Sequence, residues 1–198
     1  VEWIDSYRLA DPSQTAPAAP AAPPKIEFAA LQDELVPDLV HHAEALAPDR
    51  NPFPGFRVQR RPWMMFNLVD YQRLLVSDFL RNGGRIVVRE FHSPRDFASL
   101  PQKVLINATG FGAKALLDDA SIVPVRGQLA RLMPQPEARY GLSYDDVSYV
   151  PRRDGPVVQA LGSDESFGYG DDTTTPDRAE SEQAIATLAR VFDRNAGV

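Results

Sequence analysis

The sequence predicts a mixed fold in which an α/β part is combined with an α+β part. Strands and helices alternate over residues 56–119, a pattern that favours parallel strands with helices packed against them. Strands follow one another after Asp119, with a turn at Asp154-Gly155, and this pattern is typical of an antiparallel sheet. A chain of 198 residues is long enough to hold one substantial core or two small ones.

The composition excludes several classes of partner. Hydrophobic residues make up 43% and charged residues 24%, which is ordinary for a soluble globular protein. A net charge of −6 argues against nucleic acid and anionic membranes, because both require clustered Lys and Arg. No apolar run approaches the roughly 18 residues that a membrane-spanning helix needs. We therefore expect a small-molecule partner, while the oligomeric state stays open.

The chain has no cysteine. Disulfides, a thiolate nucleophile and Cys-ligated metal centres are therefore excluded. His41, His42 and Glu44 lack the spacing that puts two histidines on one helix face, so no metal site is expected. The sequence opens at Val1 without an initiator Met, so that a targeting segment upstream would be unseen. The compartment is undetermined, and a cytoplasmic location is the default expectation.

The N-terminal third predicts two strands separated by irregular structure. Residues 1–9 alternate loosely between apolar and polar, as a strand does, and the Ala/Pro-rich residues 10–24 predict a surface loop. Residues 26–46 permit helical turns that Pro37 interrupts. Residues 56–66 are rich in aromatic and β-favouring types, which predicts an extended segment.

The helix predicted over residues 68–82 has the strongest periodic signal. Tyr71, Leu74, Leu75 and Phe79 recur at helical spacing, and the run ends at Asn82-Gly83-Gly84. Residues 85–91 then form a β-branched run that predicts a strand. Residues 103–119 predict another strand that passes through a glycine-bearing turn into a helix.

The C-terminal part predicts a meander and a final helix. Strands are expected over residues 122–133, 147–153 and 157–162. The helix is expected over residues 176–192, since it has Pro at its start, acids in its first turn and apolar residues on one side. Pro62 in the earlier extended segment favours the edge of a sheet.

The turn at residues 107–113 allows two interpretations. Small residues at the end of an apolar strand let a cofactor approach the backbone, and the following helix offers free N–H groups. An ordinary strand-to-helix turn explains the same residues, because a lone pair of glycines is weak evidence.

Four phrases of the sequence are informative together: residues 66–84, Asn107-Ala108-Thr109-Gly110, Pro124-Val125-Arg126-Gly127-Gln128 and the hairpin at residues 149–155. They resemble phrases that occur in the same order in the D-amino-acid oxidase and glycine oxidase family. Together they span residues 66–162, and four phrases in order are more specific than any one alone.

The resemblance implies an enzyme that uses flavin adenine dinucleotide (FAD) to oxidise the C–N bond of a D-amino acid or related amine. It implies part of a Rossmann-like FAD-binding domain over residues 67–120. It also implies an antiparallel-sheet substrate domain, the cap, from residues 1–66 and 121–198. Glu90 and Phe91 would lie along the adenosine half of the cofactor. Ala108, Thr109 and Gly110 would approach it through backbone and hydroxyl contacts.

The same resemblance implies candidates for substrate contact. Tyr149 or nearby Tyr144 would face the substrate side of the flavin, where family members hold the amino-acid carboxylate with tyrosine hydroxyls. A core or surface tyrosine is the other interpretation. Arg126 and Arg152 are suited to carboxylates because a guanidinium binds them with two parallel hydrogen bonds. Arginines in strands are also commonly solvated or structural.

Two segments of the family are missing from this sequence. The Gly-x-Gly-x-x-Gly fingerprint that binds the cofactor pyrophosphate does not occur, and neither does the late Arg-Thr-Gly-x-Arg-Pro segment. We therefore expect either a fragment or truncated form of the oxidoreductase or, alternatively, a non-catalytic binding module that reuses the scaffold.

Overall fold

The computed structural model describes residues 1–13, 31–162 and 166–196 and divides into two compact units. The first, here called the sheet unit, comprises Val1–Asn67, Gly127–Phe167 and Thr174–Val198. The second, the helical unit, comprises Leu68–Arg126 and Gly168–Thr173. The predicted Ala/Pro-rich loop lies mostly outside the described residues, and its first residue, Ala10, is the end of a strand.

The sheet unit contains one mixed, mostly antiparallel sheet in the order β2-β3-β1-β5-β6-β7-β4. Its strands are Glu2–Ala10 (β1), Glu44–Ala45 (β2), Arg57–Met65 (β3), Ala130–Arg131 (β4), Gly141–Tyr144 (β5), Val147–Val150 (β6) and Val157–Ala160 (β7). Neighbouring strands run antiparallel except β1 and β5, which are parallel. The strand predictions for residues 1–9 and 56–66 are confirmed.

Pro62 lies where the sheet tolerates a residue without an N–H group. It faces Asp5 in the nine-residue ladder between β1 and β3. On the other side of β3, β2 pairs with Gln59 and Arg60 and does not extend to Pro62. Among the described residues, no strand pairs with β3 at Pro62 on that side, in agreement with the edge preference of proline.

The core of the sheet unit lies between one face of the sheet and the final helix, Arg178–Ala196 (α4). Ala184, Leu188 and Val191 of α4 pack with buried strand residues that include Leu142 and Val158. Asp177 caps the helix, since its carboxylate accepts the Glu180 N–H at 3.1 Å. The predicted helix is confirmed and begins two residues after Pro176.

The helical unit contains Leu68–Arg81 (α2) and Ala113–Leu117 (α3), with 3-10 turns at Pro94–Ser99 and Gly110–Gly112. The prediction of α2 is confirmed. The strands predicted over residues 85–91 and 103–107 are wrong for this structure, because neither segment forms a strand. A strand needs a neighbour for its backbone hydrogen bonds, and among the described residues neither segment pairs with one.

Two further sequence predictions need correction. Of the helical turns predicted over residues 26–46, the structure has Gln32–Leu35 (α1) and a 3-10 turn at Pro37–Leu39. Residues 26–30 lie outside the described part. Another 3-10 turn follows at Pro48–Arg50. The strand predicted over residues 122–133 is reduced to β4 and an isolated bridge between Val125 and Tyr169.

Candidate functional site

Both candidate tyrosines lie on the core face of the sheet. Tyr149 in β6 faces Leu142, and Tyr144 follows two residues later on β5, so all three side chains share one face. Both tyrosines are about 7% exposed. The Tyr144 ring meets Phe56 edge-on, with centroids 5.3 Å apart.

The Tyr149 hydroxyl is a proton donor inside the sheet unit. It donates to the Ala138 carbonyl at 3.3 Å and lies 3.4 Å from Gln135 Oε1. Burial, reinforced by nearby Tyr140 and Glu137, raises the pKa of Tyr149 to about 12. The phenol is therefore neutral at physiological pH, and contact with a substrate carboxylate remains a prediction.

Arg152 binds a carboxylate of its own chain. Its Nε and Nη2 atoms each lie 3.1 Å from an oxygen of Asp154, a two-point pairing. Arg131 also donates to Asp154, at 2.8 Å. The Arg152 hydrogen bond holds the pKa of Asp154 below its usual range. A substrate carboxylate at Arg152 would have to compete with Asp154.

Arg126 lies in the helical unit. Its side chain is 15% exposed, and its Nε lies 3.9 Å from the Asp171 carboxylate. Its backbone N–H donates to Gly168 O at 2.9 Å. Thr173 and Arg126 together lower the pKa of Asp171, with the Thr173 hydroxyl contributing most. Arg126 thus has an acid partner within its own unit.

Glu90 and Phe91, the candidates for the adenosine contact, lie on the surface of the helical unit. The Glu90 side chain is 82% exposed and lies 3.9 Å from His92 Nε2. Phe91 contacts Phe97 at 5.6 Å between ring centroids, and the Arg89 guanidinium lies 5.5 Å from the Phe91 centroid. These two contacts restrict the orientation of the Phe91 ring.

Ala108, Thr109 and Gly110 form a surface turn whose backbone is accessible. Asn107 Oδ1 accepts hydrogen bonds from the Thr109 N–H at 3.2 Å and the Thr109 hydroxyl at 2.8 Å. Gly110 has φ of +58°, and no atom lies within 4 Å of the place that a side chain would occupy. The turn fits close contact with the uncharged parts of FAD. No glycine-rich loop that would hold the diphosphate occurs in the sequence.

The sheet unit contains a cavity of about 1330 Å³ that sequence reasoning did not find. It is lined by the end of β1, the start of β3 and the turn between β5 and β6. Arg8, Gln59 and Ser143 contribute polar side chains to its lining. Alternation along residues 1–9 was the available signal, because it places Arg8 on the opposite face from Leu9.

The described residues contain neither a candidate metal site nor a candidate membrane-spanning helix. In the part of the chain that the structure describes, no group of three or more His, Cys, Asp or Glu side chains is arranged to hold a metal ion. Within the same ranges, no helix combines the length and apolar character that crossing a bilayer requires.

Comparison with known proteins identifies the family. A family model described as FAD dependent oxidoreductase matches residues 17–198. A D-amino-acid oxidase from Dictyostelium discoideum is 29% identical over 126 residues, which are 63% of this chain and 36% of that protein. The match thus spans about a third of that relative's length. FAD is the cofactor on which this family depends, and the chain belongs to the DAO family of FAD-dependent oxidoreductases.

Proposed function

We propose that the chain is part of an oxidoreductase that oxidises the C–N bond of a D-amino acid or a related amine. The match of the FAD-dependent oxidoreductase model to residues 17–198 carries this proposal. The resemblance to a D-amino-acid oxidase supports the substrate class. When bound, FAD supplies the hydride acceptor for this chemistry.

The helical unit is the proposed second part of a Rossmann-like FAD-binding domain. Thr109 and Gly110 would hold the cofactor through a hydroxyl and an open backbone, and Glu90 and Phe91 would contact its adenosine half. The accessibility of Gly110 supports this role, because a cofactor atom reaches the backbone without meeting a side chain. Ala108 contributes a side chain small enough not to block that approach.

The sheet unit is the proposed cap, or substrate domain. Its part in the reaction is to bind and orient the substrate and to exclude water. Tyr149, Tyr144 and Arg152 remain the predicted substrate contacts. A neutral phenol can donate to a carboxylate, and in doing so the Tyr149 hydroxyl would exchange the Ala138 carbonyl for the substrate.

Apolar surface on the helical unit supports the proposal that further polypeptide completes it. Val88 is 99% exposed and Ile106 is 89% exposed, although both lie in β-branched or aliphatic runs. On α2, Leu74 and Phe79 are each about half exposed. An exposed apolar surface of this kind is typical of an interaction site. By itself, the chain should bind FAD weakly or not at all, since the pyrophosphate loop supplies much of the anion recognition.

A visible absorption spectrum tests the proposed function. We expect the natural gene product to show flavin bands that bleach anaerobically when a D-amino acid is added. The 198-residue chain should lack stoichiometric flavin. Absence of flavin from both would leave shared ancestry alone and favour a non-catalytic binding module. Stoichiometric flavin in the chain would overturn the prediction of weak binding.

A further inference from the structure

A row of polar side chains crosses the sheet on the face opposite its core. The strand register aligns Arg8 with Gln59 on one side and with Ser143 on the other. Ser143 is aligned with Ser148, which is aligned with Gln159. Residues aligned in this way point to the same face. Five adjacent strands thus contribute one continuous line of hydrogen-bonding groups.

Arg8 supplies a positive charge that has no acid partner among the described residues. Its side chain is exposed, as is that of Arg61, which is aligned with Ser6 on the same face. The salt bridges of the sheet unit involve other arginines, including Arg60 with Glu44 and Arg153 with Glu2. In a chain of net charge −6, an arginine that pairs with no described acid and lies within a row of donors favours an anionic ligand.

The surroundings of Arg8 combine polar and apolar surface. Arg8, Gln59 and Ser143 line the cavity of about 1330 Å³. Toward the next row of the sheet, the Trp63 ring lies so close to Gly141 that a side-chain carbon there would be 2.9 Å from it. The indole thus occupies the sheet surface beside Gly141. Phe56 adds an apolar part to the cavity lining.

The turn between β5 and β6 adds negative charge to the same cavity. Asp145 and Asp146 have φ of +48° and +58°, and both line the cavity. Asp145 pairs with Arg190 at 3.2 Å. Asp146 lies next to it, so that the cavity carries groups of both signs. An α-amino acid, which has a carboxylate and an ammonium group, has charges of both signs as well.

We infer that Arg8, flanked by Gln59 and Ser143, binds the carboxylate of a small α-amino acid or of the corresponding 2-oxo acid. Neighbouring strands lie about 4.7–4.9 Å apart, so donors on three adjacent strands can converge on one carboxylate. A guanidinium presents two parallel N–H groups to such a ligand. This inference rests on the proposed function for the choice of ligand. It places the carboxylate on the face of the sheet opposite Tyr149 and Tyr144, as an alternative to contact with those tyrosines.

Titration of the 198-residue chain, followed by amide nuclear magnetic resonance, tests this site. The probes are D-alanine, pyruvate and ethylamine, which has no carboxylate. We expect D-alanine and pyruvate, or one of them, to shift the amides of Arg8, Gln59 and Ser143 saturably, and ethylamine to leave them unchanged. A response to D-alanine alone would identify the amino acid as the ligand, and a response to pyruvate alone the 2-oxo acid.

Variants test whether Arg8 binds the carboxylate. Arg8→Gln should weaken carboxylate binding at least tenfold. Arg178→Gln removes the same charge from a side chain that is 90% exposed on α4, and it should leave the affinity unchanged. Gln59→Glu places a carboxylate beside Arg8 at an exposed position and should abolish binding. It is a second test should Arg8→Gln unfold the chain.

Three results with the 198-residue chain would overturn the inference. They are the absence of saturable shifts with both carboxylates, equal weakening by Arg8→Gln and Arg178→Gln, and unchanged affinity in Gln59→Glu. Flavin bleaching in the natural gene product tests the proposed function separately. If D-alanine bleaches the flavin of the Arg8→Gln variant of the natural gene product normally, and with an unchanged KM, the carboxylate site at Arg8 is ruled out. The proposed oxidoreductase function is then unaffected.

Discussion

The sheet unit and the helical unit differ in how much they bury. Among its described residues, the sheet unit has a core cluster of twelve buried residues between its sheet and α4. The helical unit buries only Ala113 and Leu116, and α2 has no buried residue. Burial of apolar surface is the dominant favourable term in folding. The sheet unit therefore has a core of its own, whereas the helical unit buries few apolar side chains.

The comparison also shows how helices and strands differ in what they require. α2 forms because all its backbone bonds lie within one segment. Residues 86–88 are Ile-Val-Val, a favourable strand sequence, yet they form no strand. A strand needs a neighbour to receive its hydrogen bonds. Segments with strand composition and no partner therefore mark where a further chain segment is expected to pair.

A matched pair of leucine substitutions should give the largest difference between the units. Leu188→Ala in α4 removes a side chain that is 5% exposed and should lower the free energy of unfolding by about 2–5 kcal/mol. Leu74→Ala in α2 makes the same change at a side chain that is 54% exposed, and the effect should stay within about 0.5 kcal/mol. Urea unfolding followed by circular dichroism measures both. Equal losses would contradict the contrast between the units.

Alkaline pH should destabilise the sheet unit through Tyr149. Its pKa is about 12 in the folded chain and about 10 in an unfolded one. The stability associated with the neutral phenol is fully present below pH 10 and is lost as the pH rises toward 12. Burial also raises the pKa of Tyr7 and of Tyr140. Ultraviolet absorbance should therefore show tyrosines that titrate late, and Tyr149→Phe should remove the latest of them. A normal titration of all tyrosines would show that Tyr149 is not buried.

A smaller effect is expected at Asp11, which joins the end of β1 to α4. Its hydrogen bond with Ser13, and next the one with Arg194 at 2.8 Å, hold its pKa below the usual range. The resulting stabilisation is present above about pH 4 and is lost as the pH falls through the lowered pKa. Asp11→Asn should lower the urea midpoint slightly at pH 7 and progressively less in acid. A decrease in the urea midpoint that is equally large at pH 7 and in acid would contradict the ion pair.

Local sequence patterns predicted the elements that depend on local features. Periodicity and caps located α2 and α4, and alternation located β1 and β3. The strand predicted over residues 122–133 shrank to Ala130–Arg131, because the length of a strand is set by where β7 pairs with it. Strand pairing is not encoded in any one segment.

The candidate sites differ in the same way, because one is continuous in the sequence and the other is assembled by strand pairing. Residues 107–110 were found by resemblance, since the phrase is continuous in the sequence. The row formed by Arg8, Gln59 and Ser143 joins three distant segments, and the register of β1 with β3 and β5 brings them together. Alternation assigns each residue to a face, but it does not say which residues are neighbours across strands.

Amide hydrogen exchange tests the contrast between the two units most directly. It would be measured on the 198-residue chain and on the natural gene product with and without FAD. We predict that in the chain β1, β5 and β6 are protected while residues 85–91 and 103–110 exchange fast. In the FAD-loaded natural product, those two segments should become protected and the strands should change little. Equal protection of both units in the chain alone, or fast exchange of the two segments in the FAD-loaded product, would contradict the account.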